Sequence, residues 1–390
     1  MTLTILTNDQ AKSVLDNLTL AQLDGFQRHL SKALREYSTN TQTIQDGTYH
    51  QPHRTRYENP KTGATTLFMP SVGPMGMVVT LSTPQKGARK HGAETLPVIR
   101  PTGAITLFAP DGTTTGFLHA GAITAFRTAL ASSILLRLRR NVQHIVVFGA
   151  GKQAYWHVRL ALLQNGSTVT RVTVINRKKE TAQEMLDDLK NVAPELKSRE
   201  GWEPTELDFL TPDTVGYVGL LQRRLQEADV IFCCTPSTED LFDGSILTSE
   251  EGRKKTRLIV AVGSYTPEMR ELPQSLLLQS AKAPREDPID GGAIVVDTLE
   301  GVLTEAGEII QAKIGPSRLV ELGEVVGLEH TDHESPVRRA RTTDKAREQW
   351  LGEGNVIFKS VGLGLMDLTI GSYLIEVANE AGLGTRVEGF

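Results

Sequence analysis

Cysteine is nearly absent: two occur in 390 residues, Cys233 and Cys234, and they are neighbours at the end of an apolar run. A disulfide between adjacent residues would be strained and would close no useful loop, so the sequence points to a reducing compartment and to packed thiols. A basic excess is missing too, because a formal net charge of -4 offers neither a footprint for nucleic acid nor an extended acidic tail. The N-terminus, MTLTILTNDQAKSVLDNL, lacks a charged start followed by a continuous apolar stretch, which argues against a signal peptide. No apolar run approaches the roughly 18 residues that a membrane span needs. A cytoplasmic protein with small-molecule partners is the expectation, with no nucleic acid and no membrane. The nine histidines show no metal-ligand spacing, and no serine sits in a G-x-S-x-G elbow. No internal repeat or low-complexity tract is present. The length suffices for two or three domains whose core needs no covalent staples.

Up to about Gly121, short β-like runs alternate with turn residues: 65–70, 75–82 and 103–112, the last ending in Asp-Gly. This predicts a mixed α+β module. From Ala122 the pattern becomes helical, ITAFRTALASSILLRLRR, and closes on basic residues that suit a helix C-terminus. Strands and helices then alternate through QHIVVFGAG, VTVINR, ADVIFCCTP, RLIVAVGS and AIVVDTLE, the pattern of a parallel sheet with crossover helices. Residues 328–354 are rich in charge and read as a surface segment. The stretch that follows, VIFKSVGLGLMDLTIGSYLIEVANEAGLG, reads as a helix ending in glycine that returns to the first domain. The fold class is therefore α/β: a Rossmann-type dinucleotide-binding domain over 122–354, and an α+β domain made of 1–121 with 355–390.

The strongest chemical signal is the run from His144 to Ala154, HIVVFGAGKQA, an apolar strand that enters a glycine-paired turn and then a helix. Gly149 permits the tight turn, and Gly151 lets the backbone approach a pyrophosphate, which Lys152 and Gln153 flank at the helix start. Ala154 supplies the small residue where the usual third glycine stands. The next strand ends at Asn176-Arg177-Lys178-Lys179, where an NAD-selective site places a carboxylate against the ribose 2′-hydroxyl. A neutral amide followed by cations suits a 2′-phosphate, and cations are otherwise disfavoured at a helix start, so the expected cofactor is NADP(H). Other strand ends carry Thr235-Pro236, Val262-Gly263-Ser264-Tyr265 and Asp297 towards the same sheet edge. Asp297 reads as a strand-end turn or a helix cap. Arg54 in QPHRTRY and Arg127 in GAITAFRTALAS stand in apolar or small surroundings, where a guanidinium is costly unless it meets a carboxylate or phosphate. For Arg127 a ligand or an internal salt bridge satisfies that cost, while Arg54 shares its segment with His53 and Arg56.

Several segments together resemble the ornithine cyclodeaminase and mu-crystallin family, which also holds alanine dehydrogenases and ketimine reductases. They are Pro52-His53-Arg54, Phe68-Met69-Pro70, ITAFRTA from Ile123, GAGKQA from Gly149, VGSYTP from Val262, EAGE from Glu305 and FKSVG from Phe358. They run in the family's order across nearly the whole chain. The resemblance implies a substrate and dimerisation domain completed by the C-terminal helix, a Rossmann domain between its parts, and a homodimer. It implies that Arg54 and Arg127 hold a substrate carboxylate, with Arg127 also beside the nicotinamide and the cofactor phosphates. Thr235, Gly263 and Ser360-Val361 match family cofactor contacts, with Pro236, Val262 and Ser264 beside them and Val361 and Gly362 facing the substrate. The Asn176-Arg177 pair resembles the NADPH-using mu-crystallin branch.

The chain departs from the family pattern twice. Tyr265 stands where family cyclodeaminases place a catalytic aspartate, which argues against ornithine cyclodeamination. Met77, in MGMVVT, stands at a substrate-binding position where the family uses a lysine near the reacting carbon, and methionine neither donates a proton nor carries charge. Lys86, Lys90 and His91 lie close by in sequence, and Tyr265, Lys359 or water is left to deliver a proton. An iminium needs less acid help than a ketone. The expected activity is thus NADPH-dependent reduction of a small imine, of the pyrroline or piperideine carboxylate type, or of a 2-oxo acid with an amine. The alternatives are an NADPH-dependent small-ligand-binding protein of mu-crystallin type without turnover, and an amino-acid dehydrogenase or cyclodeaminase.

Overall fold

The computed structural model describes residues 2–39, 49–83, 102–282, 292–326 and 341–390, with the backbone alone of two short strands between 89 and 96. It divides into two compact units, Met1–Arg127 with Gly362–Phe390, and Thr128–Val361. In chain order the first strands are β1 (Thr2–Leu6), β2 (Thr55–Glu58), β3 (Thr65–Gly73), β4 (Gly76–Thr83), β5 (Arg89–His91), β6 (Glu94–Leu96), β7 (Thr102–Phe108) and β8 (Thr114–His119). Then come β9 (His144–Phe148), β10 (Arg171–Ile175), β11 (Glu206–Leu210), β12 (Val230–Cys233), β13 (Leu258–Ala261), β14 (Ile294–Val296), β15 (Leu319–Glu321), β16 (Val356–Lys359) and β17 (Thr385–Glu388).

The first unit is built on one sheet, ordered β17-β1-β8-β7-β4-β3-β2. Its neighbours pair antiparallel except β1 with β8. Strict alternation turns Leu67 and Met69 of β3, and Val78 and Thr80 of β4, into the interior. The helix Gly364–Glu380 covers that face, and Phe26 of the helix Leu20–Thr39 meets Tyr373 and Phe126 edge-on at 4.7 and 5.3 Å. Gly25 makes this approach possible, because a Cβ there would stand 2.3 Å from the Tyr373 hydroxyl. The other face is exposed yet apolar, with Phe68, Val72, Val79, Leu81 and Phe117 between 38% and 46% exposed. Register makes it a continuous band, since Phe68 lies opposite Leu81, Pro70 opposite Val79, Val79 opposite Thr106, and Thr106 opposite Phe117.

The second unit holds an eight-stranded sheet, ordered β11-β10-β9-β12-β13-β16-β14-β15, in which every neighbouring pair is parallel. The chain runs outwards from β9 to β11 and then returns to β12 on the other side of β9, so the order reverses between β9 and β12. Ligands of open parallel sheets collect at the carboxyl ends beside such a reversal.

One expectation needs correction. Val356–Lys359 forms β16 inside this sheet, and the helix starts only at Gly364. A short β-branched and aromatic run suits a buried strand, and Gly362 at φ 90° interrupts any continuous helix. Of the charge-rich segment, 328–340 lies outside the described residues, while Arg341–Glu353 is a helix. Among the described residues no helix is long and apolar enough to cross a membrane.

Candidate functional site

The turn after β9 has the shape its residues demand. Gly149 takes φ 98°, and a Cβ there would stand 2.8 Å from the Cys234 carbonyl oxygen and 3.2 Å from Thr235 Cγ2. Only glycine lets the β12 end close on this turn. Gly151 caps the helix Lys152–Asn165 with no side-chain bond, and no atom lies within 4 Å of where its Cβ would be. Lys152 is exposed, Gln153 has a buried Oε1 with no partner among the described residues, and Ala154 is fully buried. Open backbone at an uncapped helix start fits a pyrophosphate. β10 leads into Asn176, whose Nδ2 donates to the Lys178 carbonyl (2.8 Å) and to Thr181 Oγ1 (2.5 Å). The amide thereby holds the turn from within, and Arg177 and Lys178 are exposed. Lys178 also begins the helix Lys179–Lys190 without a side-chain cap. Cations beside uncapped N–H groups fit a phosphate monoester.

Beneath the next strand ends lies a set of buried charges that sequence reasoning missed. Glu271, fully buried, accepts from Thr235 N (2.7 Å), Thr235 Oγ1 (3.0 Å) and Gly263 N (2.7 Å). Burial pushes its carboxyl up to about 7, Lys359 pulls it down and Glu308 pushes it up again. Asp297 accepts from Ser360 Oγ (2.7 Å), Val361 N (3.0 Å) and Thr298 N (3.0 Å). It therefore ties the end of β14 to the end of β16, beyond the turn or cap expected of it. Glu308 accepts from Ser264 Oγ and pairs with Lys359 Nζ at 3.3 Å, and that ammonium also donates to the Ser264 carbonyl at 2.7 Å.

This network corrects three readings. The hydroxyls of Ser264 and Ser360, expected at the cofactor, are buried on Glu308 and Asp297, so they support loops. Lys359, considered as a proton donor, is fully buried and holds Ser264 in place. Thr235, Val262, Gly263 and Tyr265 are half-buried and Pro236 is exposed, which leaves these at the accessible sheet edge; Val361 is 8% exposed. Burial raises both thiols, Cys233 and Cys234, well above their ordinary value, as packed cysteines require. Among the described residues no group of three His, Cys, Asp or Glu gathers as a metal site.

In the first unit the centre is Arg127, 4% exposed. Its Nε donates to Asp367 Oδ1 at 3.2 Å, and its Nη1 meets the Met366 thioether at 3.5 Å. Asp367 is fully buried; burial raises its carboxyl, while Arg127 and the Thr80 hydroxyl lower it. Gly362 lies over the guanidinium, where a Cβ would stand 2.7 Å from Nη1. Arg54, half-buried, directly precedes β2. Its segment is anchored by Gln51, which donates to the Pro70 carbonyl (3.2 Å) and accepts from Leu365 N (2.9 Å). Both arginine segments are thus tied to the start of the helix Gly364–Glu380. Met77 is not brought there: it alternates with Thr80 on β4 and lies on the opposite face from the residue that faces Asp367. Lys86 and the side chains of Lys90 and His91 lie outside the described residues.

No protein-family profile matches the chain. It is 26% identical over 398 residues to a Delta(1)-pyrroline-2-carboxylate reductase of Bacillus cereus, covering 99% of both chains. It is 26% identical over 296 residues to an uncharacterized cyclodeaminase of Dictyostelium discoideum, covering 74% of this chain and 73% of that one. Its fold matches the Thermococcus litoralis Delta(1)-pyrroline-2-carboxylate reductase, solved in complex with NADH and L-proline, at a TM-score of 0.69. That likeness covers 98% of this chain and 100% of the other at 20% identity, and speaks for the fold alone.

Proposed function

We propose that this chain is a member of the ornithine cyclodeaminase and mu-crystallin family, a nicotinamide-dependent oxidoreductase of C=N bonds that uses NADPH to reduce a small imine carrying a carboxylate. Cyclic imino acids are the preferred substrates. The observation that carries this reading is the one-sided pairing of Arg127. Among the described residues only its Nε meets a carboxylate, and a thioether is a weak acceptor for Nη1. The Nη edge therefore keeps donors for a substrate carboxylate, with the plane set by Asp367 and the space left by Gly362. Arg54 is the second cation assigned to that carboxylate.

The dinucleotide, when bound, supplies a hydride to the carbon of the C=N bond. Gly149, Gly151 and the start of the helix Lys152–Asn165 hold its pyrophosphate, and Arg177 and Lys178 its 2′-phosphate, which is the basis for NADPH over NADH. Lys359 is buried and Met77 lies away from the arginine pair, so no strong general acid is assigned. A protonated imine needs none, because it already carries its proton. The unit containing β1–β8 and β17 takes the substrate and pairs with a second copy through its exposed apolar face, giving a homodimer.

The same lack of an acid favours a second reading, an NADPH-dependent binding protein without turnover. Nicotinamide absorbance with a panel of cyclic imino acids, and of 2-oxo acids with methylamine, separates the two. Turnover of a cyclic imine with NADPH ahead of NADH is expected, and Arg127→Lys should raise KM for the imine, since lysine cannot present two fixed donors. Tight NADPH binding with no turnover across the panel would move the binding protein ahead.

A further inference from the structure

One buried carboxylate at the strand reversal has no ion-pair partner among the described residues and holds only backbone and hydroxyl donors. Glu271 Oε1 takes Thr235 N and Thr235 Oγ1, and Oε2 takes Gly263 N, all between 2.7 and 3.0 Å. Its own backbone is fixed from the far side, because Leu241 N donates to the Glu271 carbonyl at 3.0 Å and Arg270 N to the Ser237 carbonyl at 2.9 Å. The side chain is thus a strut between the loops that follow β12 and β13.

Those loops have no slack. A Cβ on Gly263 would stand 2.0 Å from the Thr235 carbonyl oxygen, and one on Gly149 would stand 2.8 Å from that of Cys234. Backbone at 149, at 234–235 and at 263 is therefore in close approach, with the Thr235 methyl against the turn at 149, and beyond the last ladder bonds at Cys234 N and Val262 N the Glu271 carboxylate joins the two loops. We propose that Glu271 is a positioning residue for dinucleotide binding, setting the Thr235 and Gly263 loops against the Gly149 turn. This rests on the dinucleotide reading above. Ionised, as it is above about pH 7, a carboxylate is the only side chain that offers acceptors at both ends, so the strut is complete on the alkaline side of that value. Glutamine would turn an NH2 group towards Gly263 N or towards the Thr235 donors, leaving two donors facing each other. The other ionisable groups acting on Glu271 are Lys359 from β16 and Glu308 from the helix Gly307–Gln311. They pair with each other and do not replace the strut.

The test titrates NADPH into full-length wild-type and Glu271→Gln protein by nicotinamide fluorescence, with thermal melting and imine turnover in parallel. The expected result is a Kd for NADPH raised about tenfold, with kcat at saturating NADPH changed by less than about twofold. A lower melting temperature with an unchanged Kd would make Glu271 merely structural and overturn the proposal. Should that variant not fold, Thr235→Val removes one donor at constant shape and Thr235→Ser restores it. Valine is expected to weaken NADPH binding by about threefold and serine to recover it, whereas equal affinity in the two overturns the strut. Wild-type protein that binds neither NADPH nor NADH removes the dinucleotide reading along with the strut. Wild-type binding that Glu271→Gln leaves unchanged removes the strut alone.

Discussion

The two sheets solve burial differently. β12, β13 and β16 are buried at every position, as crossover helices on both faces require of a parallel sheet. β3 and β4 alternate buried with accessible, yet the accessible side chains are Phe68, Val72, Val79 and Leu81. The second unit covers the strands of its sheet on both faces, and the first leaves one apolar sheet face bare. Buried charge differs in the same sense. Glu271, Asp297, Glu308 and Lys359 share many donors and acceptors, whereas among the described residues the interior of the first unit leans on the single pair of Arg127 with Asp367. Redundancy on one side and a lone pair on the other predict unequal tolerance to the same kind of damage.

The largest effect should come from cutting that lone pair. Asp367→Asn leaves a buried guanidinium without its counter-charge and is expected to cost about 3 kcal/mol. Glu308→Gln should cost less, because Lys359 keeps the Ser264 carbonyl. Denaturant melts of the two variants give the ranking, and hydrogen exchange locates it: protection should fall in β4 and in Gly364–Glu380 while β9 and β12 keep theirs. A Glu308→Gln protein as unstable as Asp367→Asn would erase the contrast.

The bare face is probed next. Paired Val79→Lys and Leu81→Lys changes place like charges on adjacent positions of one sheet face, and should halve the particle mass seen by light scattering while NADPH still binds. A monomeric wild type, or a variant that stays dimeric, would mean that something else covers the band.

Much of this contrast was legible in the sequence. Strands of the second unit read as continuous apolar runs, and HIVVFGAGKQA carries its turn chemistry locally. β16 was not legible, because VIFK is four residues long and is followed within a few residues by an apolar helix, where periodicity cannot separate strand from helix. The start of the first unit was missed although it carries two capping signatures. Thr7 with Gln10 and Thr19 with Gln22 exchange side-chain and backbone bonds at the starts of Asn8–Asp16 and Leu20–Thr39. Arg127 stood out as a lone cation in an apolar helix, and Asp367 in GLMDLTIG is the same signal with the opposite sign. Reading the two together would have paired them. Glu271 gave no such signal, since RELP looks like a solvated loop and its partners are backbone groups of loops distant in sequence.

The phosphate-side cations give a smaller effect. Arg177→Ala is expected to weaken NADPH by about tenfold, roughly 1.4 kcal/mol, and to leave NADH nearly unchanged. Equal losses for the two dinucleotides would detach Arg177 from the 2′-phosphate and turn it into general electrostatic attraction.

The smallest effect asks whether redundancy in the second unit extends to pH. His157 is buried, with Nδ1 on the Gln153 carbonyl (2.7 Å) and Nε2 beside the Ser132 hydroxyl (2.9 Å), and burial pushes it down from 6.5 to about 4. The unfolded chain then binds a proton that the folded chain refuses, so stability from His157 is present above pH 6.5 and is lost as pH falls towards 4. Glu271 works in reverse. Raised from 4.5 to about 7, it contributes stability that is full below pH 4.5 and is lost as pH rises through 7. Between those limits the slopes oppose, each at most about 1.4 kcal/mol per pH unit, and the joint contribution of the two groups should be nearly flat. His157→Asn should expose the Glu271 slope, with stability falling by about 1 kcal/mol from about pH 5 to about pH 6, and Glu271→Gln should expose the opposite rise. Denaturation midpoints at the two pH values read both signs at once, and variants that shift in the same direction would show that the two groups do not balance each other.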